Sequence, residues 1–297
     1  FTFGGLMSVE LPTGNRPLVS RGAFTDTEEK RGTGPSIYRG AKDIIQTSSG
    51  RALVADELRD AIFAVDLTSG DRTIISGKDE NEQILGNGPM FNDLETLELD
   101  ADDRYVFSPS RGDRAVYRID TATGDRSVVY DSEVATGPAF DEPRNLDLRL
   151  SERIAYVADR MKGIFRVDLT TGERTIVAPF ESLGDAVVHP DGQSAYVSDP
   201  DGVVRVSFAT NERTMISDNF IEANREITLT LDTLYMVYDA ELTRLLISRS
   251  SVTMVIAIDL PSGRRSVLSG QYVRGDGPGI HAPSGLVLDS PGNRAFV

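Results

Sequence analysis

The chain has 297 residues, 39% hydrophobic and 26% charged, with no Cys, no Trp and two His. Lys and Arg number 31 against 46 Asp and Glu, a formal charge of -15, the wrong sign for neutralising nucleic-acid phosphates or lying on an anionic membrane. The lack of Cys excludes disulfides, thiolate zinc sites and cysteine nucleophiles, and no apolar run is long enough for a transmembrane helix.

From the N terminus, an alternating apolar run reaches a tight turn in ELPTGNRPLVS, around Gly14. The same phrase returns as DLTSGDRTIIS around Gly70, IDTATGDRSVV around Gly124 and DLTTGERTIVA around Gly172. It returns twice more, as SFATNERTMIS around Asn211 and DLPSGRRSVLS around Gly263. Gly or Asn stands each time where a tight hairpin needs positive φ. The spacings are 56, 54, 48, 39 and 52 residues, and passing from Gly263 off the C terminus and on from residue 1 to Gly14 gives 48. The pattern is circular.

Upstream of the turns lie phrases such as GRALVADELRDAIFAVDL (50–67), SERIAYVADRMKGIFRVDL (151–169) and GQSAYVSDPDGVVRVSF (192–208). Their alternation at period two predicts half-buried antiparallel strands, about four per repeat, as in a propeller blade. The final GNRAFV matches SERIAYV, and the initial FTFGGLMSVELPTG matches DRMKGIFRVDLTTG, so the chain stops in a second strand and starts in a third. The prediction is an all-β, six-bladed β-propeller over residues 1–297, four antiparallel strands per blade. Its sixth blade is built from 284–297 and 1–21. Such a clasp removes free sheet edges.

Segments GDGPGIHAPSGLVLDSPGNRAFV (275–297) and ATGPAFDEPRNLDLRLSERIAYVAD (135–159) resemble NHL repeats. They are also similar to the wider six-bladed set that includes the gluconolactonase and regucalcin (SMP-30) family. The shared pattern is a Gly-x-Gly-Pro-like loop, a Pro-x-Gly-Leu lead into the inner strand and a Tyr-Val-Ala-Asp strand. The resemblance covers nearly the whole chain as repeats and is specific for the fold rather than for an activity.

In a propeller the loops leading into the inner strands converge on one mouth of the central channel, where ligand sites form. Aligning the repeats puts Lys42, Glu95, Arg144, Gly184, Leu234 and Ser284 in one ring, and Asp43, Thr96, Asn145, Asp185, Tyr235 and Gly285 in the next. A third ring, after the second strands, holds Asp56, Pro109, Asp159, Asp199 and Arg249. The resemblance implies a divalent cation, Ca2+ or Mg2+, held by Glu, Asn and Asp at the first ring. Carried over position by position, Lys42 and Arg144 stand where oxygen ligands are needed and only Glu95 can coordinate. The neighbouring ring offers Asp43, Asn145 and Asp185 as metal ligands.

Two functions follow. One is an extracytoplasmic binding propeller that holds a small molecule, glycan or protein partner at the mouth. Its ligand-binding residues would be Lys42, Arg144, Asp56, Asp159, Asp199 and Arg249. The other is a metal-dependent lactone or ester hydrolase in which metal-bound water attacks and Glu95 or His281 handles the proton. Structural roles compete for the same residues: Lys42, Glu95 and Arg144 as an ion-pair plug, and Asp56, Asp159 and Asp199 as closers of Asx turns. His189, at the far turn of an inner strand, reads as structural. The Gly-Pro pairs at 34–35, 88–89, 137–138 and 277–278 precede no helix and read as turns rather than phosphate loops. The long connection SDNFIEANREITLTLDT (217–233) is expected to hang over the mouth as a lid or partner-binding projection through Phe220 and Ile221. An acidic, cysteine-free chain of this kind is expected to be a secreted or periplasmic monomer.

Overall fold

The computed structural model describes residues 5–22, 30–37, 40–130, 136–218, 227, 234–249, 253–270, 274–280, 283–289 and 293–297. The chain opens with β1 (Gly5–Glu10) and β2 (Leu18–Arg21). Blade 1 follows as β3 (Ala41–Gln46), β4 (Arg51–Asp56), β5 (Ala61–Asp66) and β6 (Arg72–Lys78), with a short fifth strand β7 (Ile84–Leu85) on its outer edge. Blade 2 holds β8 (Glu98–Leu99), β9 (Tyr105–Ser110), β10 (Ala115–Asp120) and β11 (Arg126–Tyr130). Blade 3 holds β12 (Pro143–Arg149), β13 (Ile154–Asp159), β14 (Gly163–Asp168) and β15 (Arg174–Pro179). Blade 4 holds β16 (Ala186–Val188), β17 (Ser194–Asp199), β18 (Gly202–Ser207) and β19 (Arg213–Asp218). Blade 5 holds β20 (Leu234–Asp239), β21 (Arg244–Arg249), β22 (Met254–Asp259) and β23 (Arg265–Gly270), and β24 (Val287–Asp289) and β25 (Arg294–Phe296) end the chain.

The sixth sheet has the order β2-β1-β25-β24. Ser8 pairs with Phe296 and Glu10 with Arg294, and Met7 and Val297 exchange both backbone bonds at 2.9 Å. The C terminus therefore supplies the two inner strands and the N terminus the two outer ones. The six hairpin positions anticipated at positive φ all adopt it, from 57° at Asn211 to 82° at Gly14 and Gly70.

One expectation needs correcting. The middle strands are buried on both faces rather than half-buried: β13 is buried at every position and β4 at all but its first. The cause is radial stacking, in which each blade is sandwiched between two others. Leu53 and Ala55 of β4 pack towards blade 2, while Ala52 and Val54 pack towards blade 6. Among the described residues six apolar clusters result, each shared by two neighbouring blades, and the one holding Leu6, Val19, Ile44 and Phe296 closes the ring. Burial of this apolar surface, about 25 cal/mol per Å2, is what holds the blades together.

Candidate functional site

The channel mouth is built on bulged inner strands. In β3 the pairing steps from Ala41–Asp56 to Asp43–Ala55, leaving Lys42 as the extra residue. In β12 it steps from Pro143–Asp159 to Asn145–Ala158, leaving Arg144. In blade 2, Leu94 pairs with Ser110 and Glu98 with Phe107, again one residue out of step. A bulge sets two consecutive residues opposite one and re-aims their side chains. Lys42 with Asp43, and Arg144 with Asn145, can therefore both serve the mouth. The inner strand β20 pairs without a step.

The second ring sews blades together. Asp43 Oδ2 accepts the Leu97 N–H of blade 2 (2.8 Å), and Thr96 Oγ1 donates to the Arg144 carbonyl of blade 3 (3.0 Å). Asn145 Nδ2 donates to Asp185 Oδ1 of blade 4 (2.5 Å), and Asp185 Oδ2 accepts the Met236 N–H of blade 5 (2.7 Å). At Gly285 a Cβ would sit 2.8 Å from the Asp43 Cα, so only glycine lets blade 6 meet blade 1 here. These bonds use the oxygens that a cation would need. Asp185 Oδ1 also takes the Ala186 N–H at 2.8 Å. With the Arg144 cation bearing on Asp185 as well, the set Asp43, Asn145 and Asp185 does not fit Ca2+ or Mg2+, which require free, convergent oxygens.

The first ring and its neighbours carry paired charges. Lys42 Nζ lies 2.8 Å from Glu57 Oε2 and 3.8 Å from Glu95 Oε1. Arg111 Nε donates to Asp93 Oδ2 at 2.5 Å and stands 3.7 Å from Glu95 Oε1. Arg144 reaches Glu142 at 3.4 Å, and Arg114 reaches Asp141 at 3.3 Å. The structure thus brings Lys42, Glu95 and Arg144 into one network, with Glu57, Asp93, Arg111 and Glu142 as members the repeat alignment did not single out. Their signal was present in the sequence as charges just after the second strands and just before the inner ones.

Burial dominates the electrostatics. It pushes the carboxyl of Asp43 to about 7, against backbone N–H bonds from Leu97 and Ile44. It pushes Glu95 to about 7, against the pull of Lys42 and Arg144, and Asp185 to about 6, against the Asn145 hydrogen bond. The Tyr235 hydroxyl is raised by burial and then by the charges of Glu95, Asp43 and Asp185, against the pull of Arg144, so it stands in the field of charged residues from blades 1, 2, 3 and 4. At the mouth Glu95 Oε1, Asp93 Oδ1, Arg144 Nε and the Tyr235 hydroxyl are buried with no hydrogen-bond partner in the protein.

Ile45, Glu98, Asp147, Val187, Val237 and Val287, two residues further along each inner strand, are partly accessible, whereas Ile44, Leu97, Leu146, Ala186, Met236 and Leu286 between the two levels are buried in the interblade cores. Burial, then repulsion from Asp147 and Asp43, raises the Glu98 carboxyl well above its usual range. Arg149 holds Asp147 at 2.6 Å.

The Asp residues of the third ring close turns. Asp56 Oδ1 accepts the N–H groups of Leu58 and Arg59 (3.0 and 3.2 Å), and Asp199 Oδ1 those of Asp201 and Gly202 (both 3.0 Å). Asp159 accepts Met161 N–H at 3.0 Å and Asp141 N–H at 2.6 Å. In blade 2 the register puts Ser110, not Pro109, at this level, because β9 ends one residue later than the alignment assumed. Ser110 Oγ bonds Asn92 O at 2.6 Å and Asp113 Oδ2 at 2.8 Å. Arg249 closes β21 opposite Leu234, with its side chain outside the description. His281, Phe220, Ile221 and nearly all of the 217–233 connection lie outside the described residues. His189 sits at the opposite end of its strand, 2.9 Å from Asp191 and against the rings of Tyr196 and Tyr238.

One set of residues went unread although every repeat spells it: an Arg two positions after the turn residue and, in four repeats, a Ser four positions after that. Arg126 donates to Leu85 O (2.6 Å), Pro89 O (2.8 Å) and Gly86 O (3.2 Å) of the Gly-Pro loop, and to Ser76 Oγ of the preceding blade (2.9 Å). Ser76 Oγ in turn donates to Gly124 O at 2.7 Å. Arg72 with Ser20, Arg265 with Ser217 and Arg16 with Ser269 repeat the latch, at 2.7, 2.9 and 3.0 Å. Tyr130 and Ala178 replace the Ser between blades 2 and 3 and between blades 3 and 4. The Gly-Pro loops are thus carbonyl cradles for buried guanidinium groups, and each leads into an inner strand at the mouth.

No family model and no curated protein matches the chain. Among solved structures it is similar to a Bacteroides thetaiotaomicron protein of unknown function, with TM-score 0.67 and 16% identity over 98% of this chain and 76% of that one. It is similar to an auxiliary nutrient binding protein of the same organism, with TM-score 0.63 and 12% identity over 100% of this chain and 77% of that one. It also resembles a chain of a nidogen/laminin complex, with TM-score 0.61 and 15% identity over 89% and 93%. What they share is the fold.

Proposed function

We propose that this propeller binds a small polar ligand, free or displayed on a glycan or protein, at the mouth of its channel and outside the cytoplasm. The reading is carried by buried polar atoms of the mouth, Glu95 Oε1, Asp93 Oδ1, Arg144 Nε and the Tyr235 hydroxyl, that find no hydrogen-bond partner within the protein. Leaving such groups unpaired costs about 1–3 kcal/mol each, and a ligand that meets them recovers that cost. Their chemistry asks for a ligand with both donors and acceptors, and the charged rim around them sets its orientation. The fold likeness to a nutrient binding protein supports the same reading. The acidic, cysteine-free composition supports the extracytoplasmic setting.

The test is a thermal-shift and calorimetric screen of sugars, polyols and amino acids on the full chain, repeated on Glu95→Gln and Tyr235→Phe. A ligand present at about a hundred times its dissociation constant should stabilise the protein by about 2.7 kcal/mol. Either substitution should weaken that ligand about tenfold or more. A hit whose affinity both variants leave unchanged overturns the assignment of the mouth.

A further inference from the structure

Among the described residues the charges of the mouth's two inner rings do not balance, and the imbalance bears on what kind of ligand enters, given that the mouth is a binding site at all. Lys42 is claimed by Glu57, Arg111 by Asp93, Arg144 by Glu142 and Arg114 by Asp141. The three carboxylates of the two inner rings, Asp43, Glu95 and Asp185, have no cation within hydrogen-bonding distance among the described residues, and their relative exposures are 9%, 4% and 5%. Asp43 and Asp185 are met by backbone N–H groups and an amide, which satisfy hydrogen bonding but supply no positive charge. Glu95 is less well served. Its Oε1 accepts nothing, because Lys42 and Arg111 stop 3.8 and 3.7 Å away, held by their own partners. Beside these carboxylates lies Tyr235, 6% exposed, whose hydroxyl oxygen has free lone pairs and no partner.

We infer that the mouth selects a ligand carrying an ammonium group next to an oxygen acceptor, as in amino-alcohols, amino acids and amino-sugars. The ammonium donates to Glu95 Oε1 and to the Tyr235 hydroxyl oxygen, and Arg144 Nε donates to the neighbouring oxygen. A neutral polyol can fill the hydrogen bonds but leaves the surplus negative charge in place. An anionic ligand adds to it. Glu95 and Asp43, held near 7 by burial, lose their residual proton when a cation arrives, so binding near pH 7 is coupled to proton release.

Three probes built on the same three-carbon skeleton separate the cases: serinol (cationic), glycerol (neutral) and glycerate (anionic). Each is titrated into the full chain near pH 7 in two buffers of different ionisation enthalpy, so that proton release is read directly. The expected result is serinol binding at least about tenfold tighter than glycerol, with proton release on serinol binding only and no detectable glycerate binding. Glu95→Gln removes the preference for serinol, while a single cooperative unfolding transition of wild-type amplitude shows that the fold is intact. Equal binding of serinol and glycerol, both weakened by Tyr235→Phe, overturns the ammonium inference and leaves the mouth as a polyol site. Preference for glycerate, or serinol binding that Glu95→Gln does not weaken, also overturns it. If none of the three saturates up to about 50 mM the ammonium inference falls, and the wider metabolite screen decides the binding reading by itself.

Discussion

Arg126→Met is the most informative single change outside the mouth. Arg126 is 5% exposed, and its guanidinium makes three donations of 2.9 Å or shorter, to Leu85 O, Pro89 O and Ser76 Oγ. Hydrogen bonds from a charged donor are worth about 1.5–3 kcal/mol each, so the gross loss is about 5–9 kcal/mol. Against that stands the cost of burying the cation, visible as the lowering of its pKa by desolvation, and methionine restores part of the packing. Removing one partner of a buried charged cluster typically leaves a net loss of about 3–5 kcal/mol, and that is the expected value here. Urea unfolding of wild type, Arg126→Met, Ser76→Ala and the double variant measures it. The 2.9 Å contact predicts a coupling energy of about 1–2 kcal/mol between the two positions. A loss below about 1 kcal/mol, or strictly additive single changes, would refute the latch as a source of stability.

Tyr235→Phe should raise stability by about 1 kcal/mol, because it removes a buried hydroxyl with no partner; a drop in the melting midpoint would show a bond that the structure does not contain. Gly88→Ala should cost at least about 2 kcal/mol, since Gly88 has φ 103° and a Cβ there would lie 2.0 Å from the Arg126 carbonyl; a wild-type unfolding curve would count against the cradle. The pH dependence follows from the raised carboxyls. Asp43 at about 7, Glu95 at about 7 and Asp185 at about 6 hold protons more tightly when folded than when unfolded, so stability falls as pH rises through the window from about 4 to 7. The melting midpoint should be higher near pH 5 than near pH 8, and Asp43→Asn with Glu95→Gln should flatten that slope; a midpoint that climbs over this range contradicts the assignment.

The ring closure was legible because it is written in repeated local chemistry: a hairpin residue needing positive φ, recurring at blade-sized intervals and across the chain ends. Which residues face the mouth was legible in part. The two rings came from alignment, but an alignment cannot show that Lys42 and Arg144 sit on bulges, the feature that lets both rings serve one opening. A bulge is a property of pairing between strands and leaves no mark in either strand alone. Pro109 was misplaced by one residue for the same reason. The ligand-like oxygens of Asp43, Asn145 and Asp185 were visible as residue types, whereas their use as interblade bonds depends on which backbone N–H groups lie opposite. The latch arginines are the reverse case. They stand at a fixed offset in every repeat, and an Arg beside an acidic residue in a turn, as in Asp71-Arg72 and Asp125-Arg126, is easily read as a surface charge.

Latch and mouth are mechanically one device. Each Gly-Pro loop is gripped at its carbonyls by a buried Arg and then runs, within a few residues, into the strand that carries a mouth side chain. In blade 2 the grip at Leu85 and Pro89 precedes Asp93 and Glu95 on a single short path. A backbone pinned at one end and stapled at the other, by Asp43 to Leu97, leaves Glu95 little freedom to swing towards Lys42 or Arg111. The gaps of 3.8 and 3.7 Å are thus maintained against attraction from both sides, by the scaffold behind Glu95 and by Glu57 and Asp93, which hold Lys42 and Arg111. That is preorganisation in the usual thermodynamic sense: the unpaired state of Glu95 is sustained by interactions made elsewhere, so a ligand that completes it need not also order the loop. Arg126→Met should accordingly weaken binding at the mouth even where the protein remains folded, and Glu95→Gln should leave the latch untouched.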